Sequence, residues 1–316
     1  MPVISTRMER AMPRGFDLRD IRKGLGTFNR RNLFISSGWA VIYHSSIVVT
    51  ALAAIAAFEY VGFLSGIAAY FASILWIARQ QRGLELMLHD ASHGTWHRDR
   101  TLNNVLADFL VAIPMLQTTR SYWESHAVHH TQFGSDNDPC RRRFREVRED
   151  LSKQRWLRGI GRYILGYYAE VSCKPVAILR MVAWHMVIFG LPTAEAFGTG
   201  TALKVWLLFW FVPQFVVLPP LRMIAELEEH DYDNCGKTEA DCTFTNIARL
   251  HRWLIHPWQD SYHWIHHALP AVPEYRHKKL HRFLLKHSAS YKKSMFRKHI
   301  LGAPENLPKG SSRAAT

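Results

Sequence analysis

The chain is apolar from Asn32 to Ala78, through NLFISSGWAVIYHSSIVVTALAAIAAFEYVGFLSGIAAYFASILWIA, and this run decides the class of fold. It contains no lysine or arginine, and its only acidic residue is Glu59. A helix that spans a bilayer needs about 20 apolar residues. The run therefore predicts two spans, near residues 33–58 and 63–78, joined by a tight turn that contains Glu59.

A second apolar region runs from Val176 to Leu221 and holds only three Lys, Arg, Asp or Glu residues. It predicts two more spans, near residues 176–196 and 201–221. Four transmembrane helices in two hairpins result. The alternative is a soluble protein with a buried helical hairpin, but a soluble core helix rarely stays free of charge on all sides for so long.

Three clusters of histidine lie outside the apolar regions. They are His89-Asp-Ala-Ser-His93, His126-Ala-Val-His129-His130 and His263-Trp-Ile-His266-His267. In a helix, positions i, i+3 and i+4 lie on one face, so each cluster points its imidazoles at one place. Neutral imidazole is a common metal ligand, and eight nitrogen donors exceed what one ion uses. The three clusters therefore predict a site for two metal ions.

The distribution of basic residues predicts the orientation in the membrane. The first 31 residues contain eight Lys and Arg, whereas the two short hairpin turns contain almost none. Because Lys and Arg accumulate on the cytoplasmic side, we expect both termini and all three histidine clusters there. Attraction to anionic headgroups explains the net charge of +14. A nucleic-acid partner is not expected, since no nucleic-acid motif accompanies this charge.

The same reasoning divides the chain into three parts: a basic lead (residues 1–32), a membrane domain (33–300) and a flexible tail (301–316). The four cysteines fall in the segments predicted to be cytoplasmic, where thiols stay reduced.

Ser121, followed by Glu124 three residues later, is predicted to cap the helix of the second histidine cluster. The basic segment Arg141–Arg162 is expected to be a solvent-exposed helix, with docking of an acidic electron donor as the alternative.

With Pro270 and Pro273 after the third cluster, the order and spacing of the clusters resemble the three histidine boxes of the integral-membrane fatty acid desaturase family. The resemblance covers roughly Arg79–Leu280. It implies an all-α integral membrane fold, with four transmembrane helices in two hairpins and a cytoplasmic helical cap that carries the histidine boxes.

The resemblance also implies a non-haem di-iron centre and its ligands. The implied ligands are His89, His93, His126, His129, His130, His230, His263, His266 and His267. His230 is included because it matches a ninth histidine that family members often supply just after the last span, with His97 as the competing position. Four acidic residues beside these ligands are expected to orient their ring N–H groups. They are Asp90, Asp138, Glu229 and Asp260.

The remaining histidines receive simpler interpretations. His44 and His185 fall inside predicted spans, where each either lines a substrate cavity or bonds between helices. The others are expected at the surface or the membrane interface. They are His251, His256, His277, His281, His287 and His299.

The family resemblance implies an O2-dependent desaturase that acts on a fatty acid or fatty acyl chain in contact with membrane lipids. A hydroxylase, an acetylenase or an oxidative decarboxylase with the same two irons is the alternative. The chain lacks a His-Pro-Gly-Gly element, a cysteine cluster for iron–sulfur and a Gly-rich dinucleotide fingerprint. Electrons are therefore expected from a separate ferredoxin, rubredoxin, or cytochrome b5 with its reductase. A membrane transporter of metal or haem fits less well, because the spans nearly lack polar residues.

Overall fold

The computed structural model describes residues 18, 22–170, 175–232, 238–299, 302 and 305–306. Most of the predicted basic lead and tail lies outside these residues. The chain divides into two compact units. The apolar-helix unit comprises Asn32–Glu124 and Glu146–Met223, and the histidine unit comprises Met1–Arg31, Ser125–Arg145 and Ile224–Thr316.

Helices dominate the described residues. In chain order, the first nine are α1 (Arg22–Leu25), α2 (Leu33–Tyr60), α3 (Phe63–Ser92), α4 (Arg100–Ala107), α5 (Thr119–Thr131), α6 (Pro139–Ser152), α7 (Trp156–Glu170), α8 (Pro175–Phe197) and α9 (Thr199–Glu229). Four of them, α2, α3, α8 and α9, are long and apolar enough to cross a membrane. This number agrees with the four spans predicted from the sequence.

Two glycines make the tight connections between these long helices. Gly62, between α2 and α3, has φ 122°, and Gly198, between α8 and α9, has φ 85°. Residues with a Cβ rarely adopt such angles, so glycine lets the chain reverse within one or two residues. At the other end of α2, the Asn32 side chain accepts the N–H of Ile35 and caps the helix.

Helices α2 and α3 pack closely against each other. The Trp76 indole donates to the Ser46 hydroxyl at 3.1 Å. A Cβ at Gly83 would lie 2.6 Å from the Tyr43 ring, so only glycine permits this approach. The outer faces of the long helices remain apolar and exposed, as at Phe34 (87% exposed) and Leu64 (80% exposed). Large exposed apolar surfaces of this kind mark contact with a membrane or another apolar partner.

Four short segments of the apolar-helix unit are π-helical instead of α-helical. They are Asp108–Ala112, Met186–Gly190, Leu207–Phe211 and Pro213–Val217. A π segment inserts one residue into a helical turn and turns the neighbouring side chains, and such segments occur often at functional sites.

Buried charge in the same unit is paired. The Arg222 guanidinium binds the Glu85 carboxylate through two nitrogens, and the Tyr167 hydroxyl donates to that carboxylate at 3.2 Å. The guanidinium also lies 3.5 Å from the centre of the Tyr167 ring. These contacts neutralise a pair that would otherwise be costly to bury.

The histidine unit contains shorter elements. They are α10 (Glu239–Cys242), β1 (Thr245–Asn246), α11 (Arg249–Leu254), α12 (His263–Ala268), α13 (His277–His287), α14 (Ala289–Lys292), β2 (Met295–Arg297) and β3 (Glu305–Asn306). Three-residue and six-residue 3-10 turns, Glu274–Arg276 and Pro257–Tyr262, connect some of them. Strand β1 pairs parallel to β2, with Thr245 opposite Phe296, and β2 pairs antiparallel to β3.

The core of the histidine unit lies under α12. Trp264 and Ile265 are fully buried in it, together with Tyr291 and Phe296. The third histidine cluster occupies the remaining positions of the same helix, because i, i+3 and i+4 share a face. Packing of the two apolar side chains therefore fixes the direction in which the three imidazoles point.

Two local expectations were wrong. Helix α5 is capped by Thr118, whose backbone N–H and hydroxyl exchange hydrogen bonds with the hydroxyl and N–H of Ser121. Glu124 instead pairs with Arg120 at 3.4 Å. Cys242 forms a disulfide bond, whereas the sequence predicted a reduced thiol.

Candidate metal centre

Four histidines of the histidine unit converge on one point. They are His129, His230, His263 and His267, and all four are buried. The Nε2 atoms of His129 and His267 lie 3.3 Å apart, and those of His267 and His263 lie 3.2 Å apart. The Nε2 atoms of His263 and His230 are separated by 3.1 Å. Helix α5, the end of α9 and α12 thus each supply part of one group.

Each of these imidazoles has a polar neighbour at its other nitrogen. His129 Nδ1 donates to Asp138 Oδ1 at 3.1 Å, and His267 Nδ1 donates to Glu239 Oε1 at 2.5 Å. His263 Nδ1 lies 3.5 Å from Asp260 Oδ1. A carboxylate at Nδ1 holds the ring proton there and leaves the Nε2 lone pair free.

In the fourth imidazole, that of His230, a hydroxyl instead of a carboxylate holds the ring proton on Nδ1 and leaves the Nε2 lone pair free. His230 Nδ1 lies 3.1 Å from Thr243 Oγ1. The Thr243 hydroxyl donates its proton to the backbone carbonyl of Glu239 at 2.9 Å. Toward His230 it can therefore act only as an acceptor. All four Nε2 lone pairs therefore face one another.

Burial keeps most of these rings neutral. Burial and the neighbouring histidines hold the pKa of His230 and of His267 well below the usual value, and burial lowers the pKa of His263. Burial would also lower the pKa of His129, but Cys140 and Asp138 outweigh it and raise that pKa well above the usual value. A cation among the four rings would repel an added proton and keep His129 neutral as well.

The donor set fits a metal ion. Lone pairs about 3 Å apart repel one another unless a proton or a cation lies between them. A first-row metal with nitrogen ligands at about 2.0–2.1 Å places adjacent donors roughly 2.9–3.4 Å apart in octahedral or tetrahedral geometry. The observed 3.1–3.3 Å separations lie within that range.

A second group of imidazoles adjoins the first within the histidine unit. His130 Nε2 lies 3.0 Å from Nε2 of His126, one turn away on α5, and 3.0 Å from Nε2 of His266 on α12. Glu274 lies near the other nitrogen of His266, at 3.9 Å. The ring centres of His130 and His267 are 4.5 Å apart, so the two groups are neighbours.

The two histidines of the first cluster belong to the apolar-helix unit. His89 and His93 lie one turn apart near the end of α3, with ring centres separated by 5.6 Å. Their rings contact Tyr122 and Trp123, respectively. His97, the competing position for a ninth ligand, instead accepts the backbone N–H of Asp99 through Nδ1 at 3.0 Å.

The acidic residues predicted to orient ligands behave differently from one another. Asp138 and Asp260 face Nδ1 of His129 and His263, where an orienting carboxylate belongs. Glu229 lies 3.7 Å from His263 on the opposite nitrogen, Nε2. Asp90 is buried, and its backbone carbonyl accepts the hydroxyl of Thr95.

Sequence reasoning missed three polar partners in the histidine unit, namely Glu239, Thr243 and Glu274. The only local signal is that Glu239 and Thr243 lie one turn apart, on α10 and just after it. Glu239 faces a histidine 28 residues away and Thr243 faces one 13 residues away, so no spacing rule connects them with those histidines. Glu274 follows His266 by eight residues, but it lies beyond the end of the helix that carries His266.

Four histidines expected at the surface are buried, and those expectations were wrong. They are His251, His256, His277 and His281. His251 and His256 both face the buried Glu228 carboxylate, and His256 Nδ1 lies 3.1 Å from Asp260 Oδ2. This side-chain cluster lies directly behind Asp260. His287 and His299 are exposed, as predicted.

Comparison with known proteins agrees with this geometry. Residues 62–299 match the family described as fatty acid desaturase, and this range contains every histidine of both groups. A similar protein is the dihydrorhizobitoxine desaturase of Bradyrhizobium elkanii, which is 26% identical over 229 residues. The alignment covers 65% of this chain and 64% of that relative, so the chain spans less than two thirds of the relative's length. The extent of the family match shows that the chain belongs to the fatty acid desaturase family.

Proposed function

We propose that this protein is an O2-dependent di-iron desaturase that introduces a double bond into a fatty acyl chain. The observation that carries the proposal is the group of four buried imidazoles whose Nε2 atoms lie 3.1–3.3 Å from their neighbours. Its four rings lie within the matched desaturase range.

The two groups of imidazoles supply the ligands of two irons. His129, His230, His263 and His267 hold one iron. His126, His130 and His266 hold the other, together with His89 and His93, which the family motif assigns to the same centre. Nine neutral nitrogen donors then surround the two ions.

Iron with dioxygen supplies an oxidant strong enough to remove hydrogen from an unactivated methylene. The chain's own residues orient the iron ligands and surround the substrate. Asp138, Asp260 and Glu239 hold the imidazoles by their Nδ1 protons, so that each Nε2 keeps its direction. The apolar helices receive the alkyl chain and exclude water from the reacting carbons.

The electron balance requires a second protein. Reduction of O2 to two waters takes four electrons, of which two come from the two C–H bonds and two from a donor. We propose that a ferredoxin, rubredoxin or cytochrome b5 delivers the latter pair. The four apolar helices form two membrane hairpins, with both termini and the irons on the cytoplasmic side, where such donors occur.

Hydroxylation is the second candidate, because return of oxygen to the carbon would give an alcohol with the same ligands. Acetylenase and oxidative decarboxylase reactions would also use this centre. The relative named as a desaturase favours loss of a second hydrogen here. Its name gives dihydrorhizobitoxine as substrate, so products should be sought beyond ordinary acyl lipids as well.

Mass spectrometry of host lipids and small metabolites tests the proposal. Cells that express the chain should accumulate a product lighter than its precursor by two hydrogen atoms. His129→Ala should abolish this product and His287→Ala, at an exposed position, should not. A product heavier by one oxygen would favour the hydroxylase, and iron-loaded protein without any product would contradict both.

A further inference from the structure

An aromatic cluster lies among the long helices of the apolar-helix unit. Its members are His44 on α2, Trp184 and His185 on α8, and Trp206 and Trp210 on α9. The His185 ring lies 4.5 Å from Trp210, 5.1 Å from Trp184 and 6.1 Å from Trp206, measured between ring centres. The His44 ring stacks on Trp210 at 5.9 Å and lies 5.4 Å from Trp184.

Hydrogen bonds fix the proton on one nitrogen of each imidazole. His44 Nε2 donates to the carbonyl of Leu110, and His185 Nδ1 donates to the carbonyl of Met181, both at 2.8 Å. The other nitrogens, His44 Nδ1 and His185 Nε2, are then acceptors. Both are buried, and no described residue donates to either. His185 as a whole is only 2% exposed.

Two indole N–H donors of the cluster likewise have no hydrogen-bond partner among the described residues. Nε1 of Trp184 and Nε1 of Trp206 are buried, and no described residue accepts from them. The third indole differs, because Trp210 Nε1 donates to Gln214 Oε1 at 2.6 Å. One cluster therefore holds two unmatched donors and two unmatched acceptors in surroundings where unmatched polar groups are costly and rare.

The backbone supplies an independent observation. Leu110, which accepts from His44, belongs to the π segment Asp108–Ala112. His185 directly precedes the π segment Met186–Gly190, and Trp210 lies within the π segment Leu207–Phe211. Three of these uncommon segments thus meet at this cluster, and π segments occur often at functional sites.

We propose that this cluster is a binding site for an uncharged hydroxyl group carried by the substrate. A hydroxyl has one proton to give and lone pairs to receive, so it can donate to His185 Nε2 while accepting from an indole N–H. A charged group is excluded, since no described side chain of the cluster carries a compensating charge. The inference rests on the proposed function, because it makes the ligand a lipid-soluble substrate.

The position of the cluster separates this hydroxyl from the carbons that react. Gln81 on α3 donates to the carbonyl of Trp210 at 3.0 Å, and Gln81 precedes His89 by eight residues in one helix. Eight residues of α-helix advance about 12 Å. The substrate class is therefore a long alkyl chain with a hydroxyl several methylenes from the oxidised carbons.

Binding measurements on the iron-loaded full-length protein in lipid nanodiscs test this inference. The probes are a positional series of monohydroxystearic acids and stearic acid itself, measured by equilibrium dialysis. At least one isomer should bind about tenfold more tightly than stearic acid, as expected for one or two hydrogen bonds. His185→Phe should abolish this preference without weakening the binding of stearic acid.

Tyr70→Phe is the matched control, because it removes a hydroxyl on α3 that donates to the backbone carbonyl of Leu208 on α9 and does not belong to the cluster. It should retain the preference. Trp206→Phe removes one donor with little change in size and should reduce the preference if His185→Phe does not fold. Equal affinity of all isomers for the wild-type protein, or an unchanged preference in His185→Phe, would overturn the inference.

Binding does not depend on turnover, so the two proposals fail separately. A protein that discriminates between isomers but yields no product would contradict the proposed function alone. A protein that desaturates these acids but binds stearic acid and all its hydroxy isomers with equal affinity would contradict this inference alone.

Discussion

Loss of the Glu239 carboxylate should weaken one iron site and leave the other intact. Glu239 Oε1 lies 2.5 Å from His267 Nδ1, and its side chain is almost completely buried. With iron bound, the carboxylate would face an imidazole whose N–H is polarised. We therefore expect Glu239→Ala to lose both the orienting contact and the charge.

The size of the effect follows from the role of such partners. Removing a polar group that orients a metal-bound histidine lowers metal affinity about 10–100-fold, which corresponds to about 1.4–2.7 kcal/mol. Glu239→Ala should fall near the upper end of this range. Glu239→Gln should fall near the lower end, because its amide oxygen still accepts from His267 but forms a weaker, uncharged hydrogen bond.

The assay is iron content per chain at a series of free Fe²⁺ concentrations set by a chelator. The wild-type protein should load both irons, whereas Glu239→Ala should load one normally and the other only at 10–100-fold higher Fe²⁺. Glu149→Gln is the control, because Glu149 is exposed and contacts only the exposed Lys153, just after the end of α6, among the ion pairs of the described residues. Unchanged loading of folded Glu239→Ala would refute the assignment of this carboxylate.

Three further predictions concern the histidine unit. His230→Ala should lower iron content from two per chain to one, whereas His287→Ala should leave it unchanged; two irons in both would contradict the ninth ligand. Glu228→Gln removes a buried charge that faces two imidazoles and should destabilise the protein by about 3 kcal/mol, seen as a lower midpoint of thermal unfolding that Glu149→Gln does not share. Burial raises the pKa of Glu239 from 4.5 to about 8 in the metal-free protein. The stabilising contribution of Glu239 is therefore complete below about pH 4.5 and is lost as the pH rises through 8. Glu239→Gln should reduce the pH dependence of the midpoint of thermal unfolding, and an unchanged slope of that midpoint against pH would contradict this prediction.

The parts of the site that sequence predicts are those governed by helical periodicity. His263, His266 and His267 share one face of α12 because their spacing follows the helical turn, while Trp264 and Ile265 turn to the core. The same rule gathers the histidines of α5. The number of apolar helices was predictable for a similar reason, since charge is excluded from long stretches of sequence.

The parts that sequence does not predict depend on partners distant in the chain. Glu239 meets His267 across 28 residues, and no local pattern marks it as a partner. His251 resembles a surface residue because Arg249 and Arg252 flank it in the sequence, yet Glu228 provides a buried acceptor for it and for His256. The π segments are also unpredicted, since composition does not show where one extra residue enters a turn.

The convergence of four lone pairs has a consequence for the life of the protein in a cell. A newly made chain without iron must hold these nitrogens together against their mutual repulsion, or open the segment that carries them. Iron that binds the closed form would shift the balance toward that form by mass action. When iron is scarce, the opened chain is exposed to proteases, and cellular abundance of the enzyme should follow iron availability even at constant synthesis.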